Sequence, residues 1–378
     1  MDFKTYMDDT VNAMIPYTIE ELQEIKASLT ESDLKKLIET QSALVEIPLQ
    51  TITKYEKILS DNPNLYESYS IYTWPNPDTE DGMPYIIRDG YVNYDHIKGS
   101  KESLRLVSFL TYHLGILYYL TNDKTYYDVL RKQLFSFFID EKTKILPDFR
   151  HGQAHIGINE GQSGGIIDIA ISFGYSLSIL HVLNQEGKLD EELYTGMRDW
   201  MKAKLEWLNN HPFGKEMAEK PNNHSVVYDY YTMMIGIFIG DEKPVERAKQ
   251  RLNEVIMNQI CEDGSMPLEL KRFKSRSYTS MNTKLIFEVY KLSKARLDES
   301  IKERFNKAIE FYLPYASGRE EWPYQQTQEY YQFYDINFVY HANKYFGYSK
   351  EVFLKESDAE RSLWTILLYK SILNIKIK

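Results

Sequence analysis

The chain has 378 residues, of which 43% are hydrophobic and 26% are charged, so it is a globular protein with a sizeable core. Its formal net charge of −10 argues against nucleic acid as a partner. No run of residues approaches the ~20 apolar residues of a membrane span, so we expect no membrane insertion.

The N-terminal residues "MDFKTYMDDTVNAMIPY" lack the basic and apolar segments of a secretory signal. We therefore expect a cytoplasmic protein from the chain as written, or a periplasmic or secreted one if a signal has been removed. Cys261 is the only cysteine, which excludes an intramolecular disulfide. Tyrosine is unusually frequent, with 31 residues, and its flat face and polar tip suit sugar-binding clefts as well as helix packing.

Apolar residues recur at helical spacing along almost the whole chain, and short polar turns such as "TND" and "GDEKP" separate the helical stretches. No segment shows the strict alternation of strands joined by a hairpin turn. The pattern therefore predicts an all-α protein. The predicted helices cover residues 19–29, 31–47, 101–123, 124–140, 164–185, 190–210, 225–241, 243–260, 280–295, 297–313, 332–348 and 358–374.

Short links between consecutive helices favour antiparallel neighbours, so the predicted unit is a helical hairpin, used about six or seven times. No fixed repeat length is present, which argues against an ordinary solenoid. Hairpins arranged around an axis would form an incomplete α/α toroid, or barrel. We predict one domain over residues 1–378, with N-terminal helices in 1–60, catalytic segments in 61–300 and closing helices in 301–378.

Four segments rich in Pro, Gly, Asn and aromatic residues interrupt the helical pattern. Loops at one end of a rigid scaffold commonly carry the functional site, so we expect the site to be built from these segments. They cover residues 61–100, 142–165, 210–224 and 262–278.

The first of these segments contains "YTWPNPDTEDGMPYIIRDG", residues 72–90, which on its own is typical of a proline-rich surface turn. Its candidate binding residues are Trp74, Tyr85 and Arg88.

The second contains "PDFRHGQAHIGINEGQSGGIID", residues 147–168, with Gln153 and Asn159 as candidates. His151 and His155 are spaced like metal ligands, but no further His or carboxylate cluster supports zinc. The glycines follow no strand and form neither a P-loop nor a dinucleotide fingerprint. We therefore expect no metal and no cofactor, and we keep His155 as a candidate binding residue.

The third cluster lies in "KPNNHSVVYDYYTMM", residues 220–234. The simple interpretation is a helix start, in which Pro221 and Asn222 end a loop and Ser225 caps the helix that follows. Asn223 and His224 are also candidates for chemistry.

The fourth cluster, "DGSMPLELKRFKSRSYTSMN" at residues 263–282, combines basic residues with Tyr278. A charge run is usually a solvated face, but in an acidic chain a basic cluster beside a tyrosine is also a candidate anion site. The basic residues are Lys271, Arg272, Lys274 and Arg276.

Together these clusters offer Asn, His, Arg and Tyr without a paired carboxylate. Glycoside hydrolysis generally needs two acids flanking the bond, whereas β-elimination at a uronic acid does not. Elimination removes the C5 proton beside a carboxylate, so donors must neutralise that carboxylate while a base and an acid move protons. Asn223, His224 and Arg272 are suitable donors. Tyr278 suits both proton-transfer roles if nearby positive charge favours its ionised form.

Four segments, in order, resemble one known family. "NNHSVVYD" is similar to the Asn-Asn-His-Gly/Ser segment of the alginate lyase family of helical-toroid polysaccharide lyases, and "ELKRFKSRSYTSMN" resembles its Glu-Leu-x-Arg-x-x-Ser-x-x-Tyr-x-x-x-Asn segment. "YTWPNPDTEDGMPYIIRDG" resembles its Trp-Pro-Asn-Pro and Pro-Tyr-x-x-Arg-Asp-Gly stretch, and "GQAHIGINEG" its Gln-containing loop. The likeness covers about residues 65–300. Two departures leave the polysaccharide open: Ser277 stands where the family often has His, and Gly161-Gln162 where it has Gly-Arg.

The resemblance implies a lyase acting on an anionic polysaccharide or oligosaccharide. Asn223 would neutralise the substrate carboxylate, and His224 would assist it or act as the base on the opposite sugar face. The expected catalytic residues are Tyr278, His224, Asn223 and Arg272. The expected substrate-binding residues are Gln153, His155, Asn159, Trp74, Tyr85, Arg88, Asn222 and Tyr228.

Among β-1,4-linked uronans we place poly-mannuronate first and glucuronan second. Their C5 proton and C4 oxygen lie on the same face, so Tyr278 alone can serve as base and then as acid. Guluronate has them on opposite faces and would need His224 opposite Tyr278, so it ranks third. Two alternatives are a hydrolase, with carboxylates drawn from Asp89, Glu160 or Asp229, and a non-catalytic uronan-binding protein.

Overall fold

The computed structural model describes residues 12–361 and 363–378 and is mainly helical, as the sequence predicted. The chain divides into two compact units. The first comprises the residues up to Val45 together with Lys249–Lys378, and the second is Glu46–Ala248. The first unit is therefore discontinuous in sequence. A single domain over residues 1–378 stays a prediction.

The secondary-structure elements of the described residues are named here in chain order. The helices are α1 (Ile19–Ser28), α2 (Glu31–Gln41), α3 (Ser100–Thr121), α4 (Lys124–Leu134), α5 (Ile167–Ala170), α6 (Ser172–Gln185), α7 (Glu191–Asn210), α8 (Pro212–Glu219), α9 (Asn223–Ile239), α10 (Glu242–Gln259), α11 (Pro267–Leu270), α12 (Ser275–Leu292), α13 (Glu299–Ala316), α14 (Ile336–Phe346), α15 (Glu356–Arg361) and α16 (Leu363–Tyr369). The strands are β1 (Glu67–Tyr69), β2 (Thr73–Trp74), β3 (Ile86–Ile87), β4 (His151–Ala154), β5 (Glu351–Leu354) and β6 (Asn374–Ile377).

The core of the second unit is built on α3, α6 and α9, which are buried over most of their length. Such helices are apolar on every side because neighbours surround them. The helices α3 and α6 approach so closely that a Cβ at Gly115 would lie 2.6 Å from Ile179 Cγ2. Among the described residues no single helix has the length and apolar composition of a membrane span, although the bent pair 163–170 and 172–185 together has both.

The predicted turns of this unit are present. The "TND" turn separates α3 from α4, with Asn122 in the left-handed conformation (φ 58°) and Asp123 capping α4 through the Thr125 N–H. Asp190 caps α7 in the same way, accepting from the Leu193 N–H at 3.0 Å. Both caps satisfy backbone N–H groups that a helix start leaves without an intrahelical acceptor.

The second unit also contains two small β-pairs that the sequence did not predict. Strand β1 runs parallel to β4, and β2 is antiparallel to β3. These strands have only two to four residues, too few for an alternating pattern to be recognised. The β1–β4 pair joins the segment after residue 61 to the segment after residue 142, while β2 and β3 form a pair within the first of these segments.

The first unit joins the N-terminal helices to the C-terminal part of the chain. Thr18 and Thr30 open α1 and α2 with capping boxes, closed by Glu21 and Asp33. The Glu21 carboxylate is also fully buried and pairs with Lys291 of α12 at 3.2 Å. Glu288 of α12 and His341 of α14 complete this ionic cluster, with contacts of 2.7 Å from Lys291 to Glu288 and 3.0 Å from His341 to each carboxylate.

Several predicted boundaries were wrong. Residues 212–219 form α8 rather than a loop, because Pro212 occupies the first turn of a helix, where its missing N–H costs nothing. Helix α12 begins at Ser275, not at residue 280, so Tyr278 lies on a helix. The last predicted helix, 358–374, is divided between α15 and α16, and Asn374 instead begins β6, which pairs with β5.

Candidate active site

The asparagine–asparagine–histidine triplet forms the start of α9, as the sequence predicted, but Asn222 rather than Ser225 is the N-cap. The Asn222 side-chain oxygen accepts a hydrogen bond from the His224 N–H at 3.4 Å. Ser225 instead donates its hydroxyl to the Asn222 carbonyl at 3.1 Å. Asn223 is buried and His224 is half-buried. An amide and an imidazole thus lie at a helix N-terminus, where the backbone dipole favours an anion.

Gln153 lies on β4 in the left-handed conformation (φ 51°) and is held at several atoms. Its backbone N–H donates to Ser68 Oγ at 2.8 Å, and its side-chain Nε2 donates to Asp168 Oδ1 at 2.9 Å. Gln162 Nε2 donates to the backbone carbonyl of Gln153 at 2.8 Å. These hydrogen bonds stabilise the strained backbone conformation of Gln153 and fix the orientation of its side-chain amide.

Gly164 brings Gln153 and His224 into one neighbourhood. A Cβ at Gly164 would lie 3.2 Å from Gln153 Oε1 and 3.6 Å from His224 Cε1. Both side chains therefore border the same small space, which a side chain at position 164 would narrow. The structure thus brings the second and third predicted clusters together.

A carboxylate, Glu216, also lies near these residues. Ser163 Oγ donates to Glu216 Oε1 at 2.9 Å, and Lys220 pairs with that oxygen at 2.6 Å. The hydrogen bond from Lys220 is the main reason that the pKa of Glu216 lies below its usual value, and the charge of His224 lowers it further. Sequence reasoning did not include Glu216 in the site.

The first and second clusters are also brought together. His155 Nε2 lies 2.7 Å from the Tyr85 carbonyl and must donate to it, because a carbonyl only accepts. The Tyr85 N–H in turn donates to the Ile156 carbonyl at 3.1 Å. A Cβ at Gly157 would lie 2.9 Å from Pro84 Cα, so the two loops are in direct contact. His155 therefore holds these loops to each other.

The remaining candidates of these loops differ in exposure. Trp74 donates its indole N–H to the Tyr91 carbonyl at 3.0 Å, which fixes the ring, while Arg88 is exposed. Asn159 Oδ1 accepts from the backbone N–H groups of His155 and Gly161 at 3.1 and 3.2 Å. The Asn159 side chain thus stabilises the turn in which it lies.

Tyr228 is a buried residue of α9, only 1% exposed. Its single hydroxyl proton has two acceptors within reach, the Leu208 carbonyl at 3.3 Å and Asn209 Oδ1 at 3.2 Å, and the Arg247 guanidinium lies 4.9 Å from its ring centre. This placement does not favour the direct substrate contact that we expected. Tyr228 instead fastens α9 to the end of α7.

In the first unit, Arg272 and Tyr278 form a close pair. The guanidinium carbon of Arg272 lies 3.8 Å from the centre of the Tyr278 ring, and its NH2 group donates to the Tyr278 hydroxyl at 2.9 Å. Tyr278 is half-buried on the first turns of α12. The planar cation thus lies across the ring and reaches its oxygen, an arrangement that stabilises a phenolate.

Arg276, which the sequence placed in the same basic cluster, has a different role. It is buried, and its NH2 group donates to Gln332 Oε1 at 2.8 Å and to the Tyr315 carbonyl at 3.0 Å. Asp335, fully buried, lies 3.5 Å from Arg276 and 2.9 Å from Lys284. Arg276 and Lys284 therefore anchor α12, and Arg276 is not available to an exposed anion site.

The start of α12 is capped from a distant segment. Gln326 Oε1 accepts from the N–H groups of Arg276 and Ser277 at 3.0 and 3.4 Å, and its Nε2 donates to Ser277 Oγ at 3.0 Å. The Ser275 hydroxyl donates to the Gln325 carbonyl at 2.5 Å. Both glutamines lie far from α12 in sequence, so sequence reasoning missed them.

The two histidines spaced like metal ligands are engaged by backbone carbonyls. His151 Nδ1 lies 3.1 Å from the Glu160 carbonyl, and His155 Nε2 donates to Tyr85. Across residues 12–361 and 363–378, no group of three or more His, Cys, Asp or Glu side chains is arranged to hold a metal ion.

Sequence reasoning also missed the buried charges behind the site. Lys101 pairs with Asp168 at 2.7 Å, and the two side chains are 8% and 3% exposed. Asp168 lies within the second quoted cluster, in the apolar run "GGIIDIAI". A lone acid in an apolar helical run must be paired when buried, and that signal would have indicated it.

The site thus consists of polar side chains at the ends and loops of a buried helical scaffold. The family model described as alginate lyase matches residues 51–322, and the chain belongs to that family. No curated protein matches the sequence.

Solved alginate lyases have the same fold. One from Bacteroides ovatus is 25% identical, with a TM-score of 0.81 over 87% of this chain and 91% of that chain. Alginate lyase A1-III from Sphingomonas species A1 is 16% identical, with a TM-score of 0.50 over 86% and 90%. A tetrasaccharide complex of A1-III is 15% identical, with a TM-score of 0.53 over 95% of each chain. The predicted fold class is confirmed, and the protein is a polysaccharide lyase.

Proposed function

We propose that this lyase cleaves β-1,4-linked uronans by β-elimination, with poly-mannuronate of alginate as its first substrate and glucuronan as its second. The observation that carries the mechanism is the Arg272–Tyr278 pair, in which a guanidinium donates to a phenol oxygen at 2.9 Å. The family and the solved alginate lyases support a uronan as the polymer.

The amide and imidazole at the start of α9 would neutralise the uronate carboxylate. Asn223 and His224 lie at the N-terminus of a 17-residue helix, where the helix dipole also favours an anion. Neutralisation makes the C5 proton more acidic, because negative charge spreads onto the carboxylate as that proton leaves. Donors placed in advance for this charge are among the strongest contributions to catalysis.

Tyr278 would move the protons. As a phenolate stabilised by Arg272, it takes the C5 proton, and the electrons of the C5–H bond form the C4=C5 double bond. The C4–O4 bond breaks with its electrons on O4, and the Tyr278 hydroxyl returns the proton to that oxygen. The products are a new reducing end and a 4,5-unsaturated uronate end.

A single tyrosine can carry out both steps only when the C5 proton and O4 lie on one face of the sugar. Mannuronate and glucuronate meet this condition, and guluronate does not. We propose that Trp74, Tyr85 and Arg88 bind neighbouring sugars of the chain, with Arg88 exposed to pair with a carboxylate. Gln153, His155, Asn159 and Asn222 would hold the loops and helix start that border the substrate.

The test is a panel of defined polymers: poly-mannuronate, glucuronan, poly-guluronate and neutral cellulose. We expect ultraviolet absorbance from the conjugated C4=C5 product with the first two. Appearance of reducing ends without absorbance would refute elimination. Cleavage of poly-guluronate alone would refute the same-face proposal for Tyr278 while leaving a lyase.

The hydrolase alternative has little support from the carboxylates. Asp229 is 3% exposed in the interior of α9, while Glu160 is exposed on a loop. Two acids flanking one bond must both reach the substrate. A non-catalytic binding protein would not need the Arg272–Tyr278 pair, because binding alone requires no proton transfer.

A further inference from the structure

The carboxylate of Asp168 is the centre of a buried polar network behind the site. It accepts from Tyr66 OH at 2.9 Å, Ser68 Oγ at 2.7 Å and Gln153 Nε2 at 2.9 Å. Lys101 Nζ lies 2.7 Å from its Oδ1 and neutralises its charge. Four donors converging on one carboxylate leave it a single orientation.

This network determines which end of the Gln153 amide faces the site. An ionised carboxylate only accepts hydrogen bonds, so the NH2 group of Gln153 must point to Asp168 and the carbonyl Oε1 must point elsewhere. Ser68 strengthens the assignment, because its hydroxyl donates to Asp168 while its oxygen accepts the Gln153 backbone N–H at 2.8 Å. Backbone and side chain of Gln153 are thus fixed to the same carboxylate.

The carbonyl end of Gln153 and the His224 ring border the same small space. Oε1 and the His224 Cε1 atom both lie within 4 Å of the place where Gly164 would carry a Cβ. A turned amide would place an NH2 group there instead.

We infer that Asp168 is a positioning residue of the lyase reaction, which keeps the carbonyl rather than the NH2 group of Gln153 facing the space that the His224 imidazole borders. Lys101 supplies the charge that allows a carboxylate to be buried at this point. The inference rests on the proposed function of His224, and it assigns Asp168 no contact with the substrate.

The central test is a double-mutant cycle between Asp168→Asn and Gln153→Ala, measured as kcat and KM. Asparagine keeps the size of Asp168 but has an NH2 group that can donate. The Gln153 side-chain amide can therefore flip and present its carbonyl to residue 168. We expect Asp168→Asn to lower kcat about 10-fold with little change in KM, and to lower it less than about 2-fold in the Gln153→Ala background. Equal losses in both backgrounds would refute the inference.

Asp190→Asn is the matched control. Asp190 also accepts from a tyrosine hydroxyl and an arginine, Tyr127 and Arg131, but it lies at the start of α7 and makes no contact with Gln153. We expect this variant to lose stability and to keep its kcat. A fall in kcat as large as that of Asp168→Asn would show that loss of any such network suffices, and the inference would be wrong.

Asp168→Asn leaves Lys101 as a buried charge, so the variant is also made with Lys101→Met. If neither folds, Ser68→Ala decides, because it removes a donor to Asp168 and the acceptor of the Gln153 N–H without burying a charge. Its kcat loss must vanish in the Gln153→Ala background. The cycle is run on whichever uronan the wild-type enzyme degrades, so a wrong substrate would contradict the proposed function and leave this test intact.

Discussion

The guanidinium carbon of Arg272 lies over the Tyr278 ring, 3.8 Å from its centre, and the Arg272 NH2 group donates to the Tyr278 hydroxyl at 2.9 Å. The two residues are six positions apart, with Arg272 just before α12 and Tyr278 on its first turns. The pair is held by its surroundings, since Arg276 and Lys284 anchor the same helix to Asp335. The phenol oxygen therefore has a fixed place and a permanent cationic neighbour.

Tyr278→Phe keeps the ring and its stacking and removes the only group that we assign to proton transfer. We expect kcat to fall by about 10²–10⁴-fold, with substrate binding largely retained. The rate is measured from the ultraviolet absorbance of the unsaturated product. The affinity is measured by titrating the inactive variant with oligosaccharide. Turnover close to that of the wild type would show that another group moves the protons.

Arg272→Lys distinguishes a planar cation from a charge alone. Lysine keeps the positive charge but cannot lie across the ring and donate to the hydroxyl in the same geometry. We expect kcat to fall by about 10-fold or more, and the variant to bind substrate normally. Tyr324→Phe, a change at an exposed tyrosine of the same unit, is the control and should leave both values unchanged.

His224→Ala separates the two proposed roles of the imidazole. On poly-mannuronate or glucuronan His224 only polarises the carboxylate, so a residual rate about 10²–10³-fold below the wild type should remain measurable. On guluronate the same variant should show no rate, because the base on the opposite face is lost. Equal fractional losses on both kinds of polymer would refute this division of roles.

Activity should survive exhaustive chelation. His155 Nε2 and His151 Nδ1 are directed at backbone carbonyls, and among the described residues no three suitable side chains converge on one point. The measurement is the rate before and after treatment with EDTA, with calcium added back. An enzyme that lost its activity and regained it with a divalent ion would overturn the metal-free mechanism.

The buried cluster of Glu21, Glu288, Lys291 and His341 predicts how stability changes with pH. Burial and Lys291 act to lower the pKa of His341, but Glu288 and Glu21 outweigh them and raise it above 6.5. Stability from His341 is therefore fully present below about pH 6.5 and is lost as the pH rises through the folded-state pKa. Burial acts to raise the pKa of Glu21, but Lys291 and His341 hold it well below 4.5, so its contribution is lost as the pH falls below that value.

Thermal unfolding measured from pH 4 to pH 9 should thus show a maximum between roughly pH 4.5 and 6.5 from these two groups. Above it, the unfolding free energy should fall with a slope of at most about 1.4 kcal/mol per pH unit for one proton. His341→Gln should remove the decline on the alkaline side. A variant with the same decline as the wild type would show that other groups cause it.

The sequence predicted the helical class and most helices because apolar periodicity is a local signal, carried for example by the buried α3 and α6. It also singled out Arg272 and Tyr278, which lie close together in the chain. It did not predict that Gln326 caps α12 or that Asp168 holds Gln153, because those contacts join residues that are 50 and 15 positions apart in the chain. Residue type alone did not indicate that Tyr228 is buried, and its contact with the substrate stays a prediction.

The ion pair between Glu21 and Lys291 also bears on how the chain is synthesised. The two residues are 270 positions apart. At a translation rate on the order of 5–20 residues per second, the ribosome therefore needs roughly 15–55 s to add Lys291 after Glu21. Glu46–Ala248 is contiguous and emerges whole within that interval, so it can fold while the nascent chain is still growing. The N-terminal helices can pack against α12 and α14 only later, so the unit that carries Tyr278 is completed after the whole of Glu46–Ala248 has been synthesised.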